Sequence, residues 1–187
     1  MIPTIQTCFS LMDDYQMLPN IREHSIVVAK VAELLVQGFQ RNGSSLNRDL
    51  TLAGALLHDI AKTQCLGDND GNHAKMGREI CLKHGYERVG EIVASHVVLH
   101  GNGEGVVAEK EIVYYADKRV NHNQIVSLED RLAYINKTYA ATNTTRQEFI
   151  QKNFLKCRNL EERIFQNMPF GPEEVSSLVN KKGDWLV

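Results

Sequence analysis

Residues 50–62 read Leu50-Thr51-Leu52-Ala53-Gly54-Ala55-Leu56-Leu57-His58-Asp59-Ile60-Ala61-Lys62. The run over 46–61 is mostly apolar, long for a strand, and rich in Leu and Ala, which predicts a buried helix. His58 and Asp59 interrupt it. An ionised carboxylate in such a helix is costly unless a cation or several donors meet it. Either Asp59 reaches solvent at a helix end near Thr63, or something positive waits for it. Lys62 lies three residues after Asp59 and four after His58, so imidazole, carboxylate and ammonium share one face. Such a trio suits a metal with a phosphate nearby, the ammonium acting as a point charge on a phosphate oxygen.

The rest of the chain repeats the helical rhythm. Upstream, residues 21–40 place His24, Val27, Val28, Val31, Leu34 and Leu35 at three- and four-residue spacing. Pro19-Asn20 marks the start of that helix and Asn42-Gly43 its stop. Downstream, helices are predicted over 73–83, 86–99, 107–120, 128–139, 144–166 and 173–179. A turn-rich stretch at 67–72 and a glycine-rich one at 101–105 separate some of them, Met168 to Pro172 breaks the chain, and a tail ends in Trp185. Period-two alternation is almost absent. The expected fold is therefore all-α, one helical domain of about eight helices over residues 1–187.

Composition narrows the function classes. The chain has 187 residues, 43% hydrophobic and 24% charged, ordinary for a globular domain that buries its own core. Lys and Arg number 21 against 23 Asp and Glu, so no basic excess exists to drive binding to nucleic acid or to a membrane surface. No apolar run approaches a membrane span and no signal segment is evident. Cys8, Cys65, Cys81 and Cys157 form no Cys-x-x-Cys pair, which removes zinc-finger and thioredoxin-like readings and suits a reducing cytoplasm.

Histidine is the unusual component. His24 shares its stripe with Val27, Val28 and Val31, where a single His is more often a satisfied core residue than a ligand. His96 follows Ile92 and Val93 at helical spacing and faces the core, and His100 lies four residues further on, either a His-x3-His partner or simply solvated. His73 sits where a loop enters a helix. His84 and His122 fall at helix ends or loops and read as surface residues. Asp117, on a face with Val113 and Val120, poses the same problem as Asp59. Its neighbours Lys118 and Arg119 should point to other sides of a helix, so a buried Asp117 needs a partner from elsewhere. Asp68, Asp70, Asn72 and Glu79 match positions 1, 3, 5 and 12 of a calcium loop, but His73 stands where that loop needs glycine. His73 is the better candidate for a transition-metal ligand.

Taken in order, His24, His58-Asp59, His73, His96 and Asp117 resemble the HD superfamily of metal-dependent phosphohydrolases. The His…His-Asp…Asp signature falls on His24, His58, Asp59 and Asp117, and the likeness covers roughly residues 20–140. His58 to Lys62 looks like the HDIG-type core. His73 and His96 look like the two extra ligands of dinuclear members, such as bacterial diadenosine tetraphosphate hydrolases. The Gly-Tyr-Pro extension of the cyclic dinucleotide phosphodiesterases is absent.

The resemblance implies an all-α fold and two divalent transition-metal ions, with Fe or Mn favoured and Co, Ni or Zn also compatible with four imidazoles and two carboxylates. It implies that Asp59 bridges the ions, that His24, His58 and Asp117 complete one shell, and that His73 and His96 complete the other. A metal-activated water would be the nucleophile. Asp59 and Lys62 would be the catalytic pair, Lys62 holding a substrate phosphate or orienting Asp59. Arg22, Lys118, Arg119 and Arg131 are either substrate-side groups or ordinary solvated charges. The expected substrate is a small phosphorylated molecule, a nucleotide, with neither nucleic acid nor membrane as partner. A dinuclear iron oxygenase with the same ligand order and a nucleotide-sensing module without turnover are the alternatives. The stripe Phe149, Leu155, Leu160, Ile164 and Phe165 reads as a core cover in preference to a homodimer surface.

Overall fold

Apolar spacing and side-chain caps set the helices. In the computed structural model, which describes residues 1–66, 72–99, 105–139, 143–166 and 168–181, nine α-helices form among the described residues. They are α1 (Ile5–Asp14), α2 (Pro19–Arg41), α3 (Arg48–Leu57), α4 (His73–Lys83), α5 (Glu87–Ser95), α6 (Glu109–Lys118), α7 (Leu128–Tyr139), α8 (Thr144–Phe165) and α9 (Val175–Lys181). The side chains of Thr4, Asn47, Asn72 and Asn143 each accept a backbone N–H from the first turn of α1, α3, α4 and α8. Pro19 opens α2, where a missing N–H costs nothing. No described helix is long and apolar enough to cross a membrane.

The bundle is organised around α2 and α3, which pack along each other, with α6 against both and α5 against α3. Leu35, Leu52, Leu56, Ile112, Tyr114 and Tyr115 are fully buried at their centre. Two glycines set the closest approaches to α5. A Cβ on Gly54 would lie 2.6 Å from Ile92 Cγ2, and one on Gly77 would lie 2.8 Å from Val93 Cγ1. Helix α8 packs on α6 and α7, and α9 on α2. Phe154, Cys157, Leu160 and Ile164 bury the inner face of α8; of the stripe expected from the sequence, Leu160 and Ile164 are buried and Phe165 partly so, while Phe149 and Leu155 stay more than half exposed.

The structure corrects the sequence reading at several places. Helix α1 was not predicted, although Cys8, Leu11 and Met12 form a short buried stripe. The helices expected over 46–61, 86–99 and 107–120 end early, at Leu57, Ser95 and Lys118. After Leu57 the backbone tightens into i to i+3 bonds (Ile60 N to Leu57 O 3.0 Å, Lys62 N to Asp59 O 2.9 Å), followed by a 3-10 turn at Thr63–Cys65. After α6 the chain makes a hairpin, β1 (Val120–Asn121) against β2 (Gln124–Ile125), antiparallel with Val120 opposite Ile125. Its turn places His122 at φ 54°, a left-handed conformation. Asp68, Asp70, His100, most of the 101–105 stretch and Trp185 lie outside the described residues.

Candidate metal centre

Three helices end at one place. His58 is the C-cap of α3, His96 the C-cap of α5, and Asp117 sits in the last turn of α6. His24 comes from the second turn of α2 and His73 opens α4. All six residues singled out in the sequence are thereby brought together. His24, His58 and Asp117 form one group and Asp59, His73 and His96 a second, the donor atoms in each lying within 4.8 Å of one another.

The separations are those of atoms facing a common point. His24 Nε2 lies 3.0 Å from Asp117 Oδ1, and His58 Nε2 lies 3.7 Å from the same oxygen. In the second group His73 Nε2 and His96 Nε2 are 3.1 Å apart, at 3.4 and 3.5 Å from Asp59 Oδ1. Ligands about 2.1 Å from an ion stand roughly 3.0–3.4 Å apart, so little movement is needed to close either shell. The other oxygen of Asp59, Oδ2, lies 3.4 Å from His58 Nε2, so this carboxylate stands between the two groups.

Three of the imidazoles are oriented by backbone carbonyls. Nδ1 of His58 donates to Ala55 O at 2.7 Å, Nδ1 of His96 to Val93 O at 2.6 Å, and Nδ1 of His24 to His122 O at 2.8 Å. A carbonyl only accepts, so each Nδ1 carries a proton, and in the neutral ring Nε2 is the nitrogen whose lone pair faces the centre. His58 Nε2 is buried and has no hydrogen-bond partner. A buried polar atom left unmatched is destabilising unless something occupies the point it faces, and the donor set fits a borderline divalent ion there.

Electrostatics agree for most of the set. Burial works against ionised Asp59, but His58 and Lys62 beside it outweigh burial and hold its carboxyl well below the usual range. Burial likewise opposes the charge on Asp117, and Lys118, His24 and His58 overcome it. Burial pushes His73 down to about 4 and lowers His96, leaving both imidazoles neutral, as ligands must be. His58 behaves differently. Burial lowers its pKa, but the Asp59 and Asp117 carboxylates prevail and raise it, so a cation held here would displace a proton from His58.

Each carboxylate has its own lysine. Lys62 Nζ lies 2.7 Å from Asp59 Oδ2. Lys118 Nζ lies 2.7 Å from Asp117 Oδ2, donates to His96 O at 2.9 Å, and sits over the Tyr114 ring. The expectation that Lys118 points away from Asp117 is therefore corrected. At the last turn of α6 its long stem folds back, and burial of the head drives it onto the nearest acceptors. The partner from elsewhere also exists, in His24. Of the other basic candidates, Arg22 pairs with Asp13 on the surface. Arg119 is buried and bonds Val126 O at 2.7 Å, Pro172 O at 2.8 Å and the Tyr115 hydroxyl, a structural clamp. His84 caps α4 and meets the Tyr15 hydroxyl at 3.1 Å, away from the centre.

The centre opens into a cavity of about 320 Å³. Asp59, Lys62, His73, His96, Asp117 and Lys118 line one side, whereas α7 and α8 line the other. Arg146, Phe149 and Ile150 on α8 were not foreseen as site residues, because a face shared between core and cavity has no distinct pattern. The carbonyls of Ala55, Val93 and His122 were not foreseen either, since no side-chain type marks them.

The comparisons with known proteins fit this geometry. The family model for the HD domain matches residues 21–135. A tRNA (cytidine(56)-2'-O)-methyltransferase from Thermoplasma volcanium is 34% identical over 112 residues, 59% of this chain and 29% of the relative. Ribonuclease Y from Thermotoga petrophila and from Thermotoga maritima is 33% identical over 99 residues, 52% of this chain and 18% of the relative. The chain thus spans less than a third of the length of these curated relatives, and no solved structure matched it. With the family match covering more than half its length and the two His/Asp groups set side by side, this chain belongs to the HD domain family.

Proposed function

We propose that the protein is a metal-dependent phosphohydrolase acting on a phosphate ester or anhydride of a small nucleotide. The observation that carries this reading is the pair of donor groups meeting at Asp59 on the floor of a cavity with Lys62 at its edge. His24, His58 and Asp117 would hold one divalent ion and His73 and His96 the other, with Asp59 shared. What such ions supply when bound is Lewis acidity, which acidifies water and neutralises phosphoryl charge. The reaction is R–O–PO₃²⁻ plus water giving R–OH plus hydrogen phosphate: one P–O bond forms to water, and the bond to the leaving oxygen breaks.

The protein's own groups prepare this chemistry. The backbone carbonyls keep His24, His58 and His96 in the ligating tautomer. Lys62 orients Asp59 and stands at the cavity edge, where its ammonium can meet a phosphoryl oxygen. Lys118 holds Asp117 and the His96 carbonyl together, fixing a member of each group. Ribonuclease Y is by name a nuclease, which is in keeping with phosphoester hydrolysis. The chain's near-neutral charge favours a small substrate over a polynucleotide, and its unpaired thiols suit the cytoplasm.

The test is metal analysis of the purified protein followed by a nucleotide panel with phosphate detection. Asp59→Ala should lose bound metal and at least about a hundredfold of the activity, as expected when a ligand shared by two ions is removed. Undiminished metal content in that variant would overturn the assignment.

A further inference from the structure

The metal-ligating residues account for one side of the cavity. The opposite side presents Arg131 and Ile135 from α7 with Arg146, Phe149, Ile150 and Phe154 from α8. Helix α8 lies beyond the segment 21–135 that matches the family, whereas Arg131 and Ile135 of α7 fall at the end of that segment, so the α8 half of the wall is the part outside the family match. Its composition is specific. Arg146 and Phe149 are three residues apart and so share a helix face, and Phe149 is 53% exposed despite its size. A large aromatic ring half open beside a guanidinium is an arrangement suited to a planar, anionic ligand.

Charge bookkeeping within the cavity points the same way. Asp59 is matched by Lys62 and Asp117 by Lys118. Arg131 and Arg146 have no carboxylate partner among the described residues. Arg131 Nη1 donates to neutral Asn121 Oδ1 at 2.9 Å, while its Nε is buried without a hydrogen-bond partner. The orphaned Nε of Arg131, whose guanidinium lies over the Tyr134 ring, and the exposed guanidinium of Arg146 give this wall positive charge that no carboxylate among the described residues offsets.

We infer that the α7–α8 wall binds a nucleobase on Phe149 and a second phosphoryl group on Arg131 and Arg146. The substrate class is accordingly a nucleotide with two or more phosphoryl groups, one at the metal centre and the next at the arginines. This inference rests on the reading given under Proposed function and adds a specificity to it. The apolar surface of Phe149, Ile150 and Ile135 offers the base a stacking face without base-specific hydrogen bonds.

The experiment is titration calorimetry on the metal-loaded protein with adenosine 5′-monophosphate, the hydrolysis-resistant α,β-methylene adenosine 5′-diphosphate, and inorganic pyrophosphate. The diphosphate should bind about tenfold tighter than the monophosphate, the value of one added charge-assisted contact. Arg146→Ala should erase that preference, while Arg146→Lys keeps part of it. Phe149→Ala should weaken both adenine nucleotides about tenfold, in line with loss of one stacked base. Pyrophosphate, having no base, should lose affinity in Arg146→Ala and not in Phe149→Ala. Both residues are exposed, and melting curves check that the variants are folded. Equal affinity for mono- and diphosphate in the wild type, or wild-type binding by both alanine variants, overturns the proposal. Nucleotide binding in the expected pattern without phosphate release would leave the wall standing and sink the hydrolase reading. Phosphate release with KM values indifferent to Arg146 and Phe149 would do the reverse.

Discussion

A histidine that must offer Nε2 to a cation needs its proton pinned on Nδ1. Three residues here do this through carbonyls, two of them three positions back on their own helix and one across 98 residues. The side chains that meet at the centre were legible in the sequence, because ligand chemistry is written in residue type. The carbonyls were not, because every residue has one. His73 offers a direct test of the electrostatics. Its folded pKa of about 4 lies below the ordinary 6.5. Between those values the unfolded chain takes up a proton that the folded chain refuses, so this residue makes the metal-free protein lose stability as pH falls. Asp59 and Asp117, held low, act in the same direction further down, losing their contribution below the ordinary carboxylate range. His58, held high, acts oppositely, its contribution being lost as pH rises through its folded value. In chelator-treated protein, His73→Asn should therefore gain on the wild type in melting temperature as pH drops from 6.5 to 4. A constant difference across that window contradicts the account.

At the scale of elements, the centre lies where α3, α5 and α6 stop. Helix C-termini carry partial negative charge from their unpaired carbonyls, which favours cations by about 0.3–1 kcal/mol each. The helical periodicity of 46–61, 86–99 and 107–120 hid these endings, since apolar residues continue past them; what terminates α3 and α5 is a histidine side chain taking a carbonyl. The position of α5 depends on Gly54 and Gly77. Gly54→Ala should cost about 1–3 kcal/mol through overpacking against Ile92, and less than that in a chain already carrying Ile92→Ala, which removes the Cγ2 and Cδ1 in the way, as denaturation curves would show. The segment after α5 is held from α8. Asn153 Nδ2 donates to Val97 O at 3.0 Å and Lys156 Nζ to Leu99 O at 3.4 Å. Asn153→Ala leaves the Val97 carbonyl unmatched, which costs about 1–2 kcal/mol. It should also weaken metal binding at the His73–His96 group about tenfold, as loss of an outer support does, measured by metal competition.

At the scale of the molecule, the six donors tie together α2, α4 and the ends of α3, α5 and α6. A cation bound there stabilises the whole bundle by linkage. Metal at a hundredfold over its Kd should add about 2.7 kcal/mol per independent site. For a chain of this length that is about 5–10 °C in Tm, read by calorimetry before and after chelation. No shift would mean that these donors do not hold an ion. Arg119 secures the opposite flank, joining α6 to the hairpin, to Glu161 of α8 and to the Pro172 carbonyl. Arg119→Ala should cost about 3–5 kcal/mol, the penalty for breaking a buried charged network, read as a fall in the denaturation midpoint. The spread of the donors along the chain has one more consequence, for biosynthesis. The Asp59, His73 and His96 group is complete once residue 96 has been made, whereas the His24, His58 and Asp117 group awaits residue 117, and His24 is oriented only when His122 arrives. During translation the donors of the two halves of the centre therefore become complete in a set sequence, the Asp59, His73 and His96 group first.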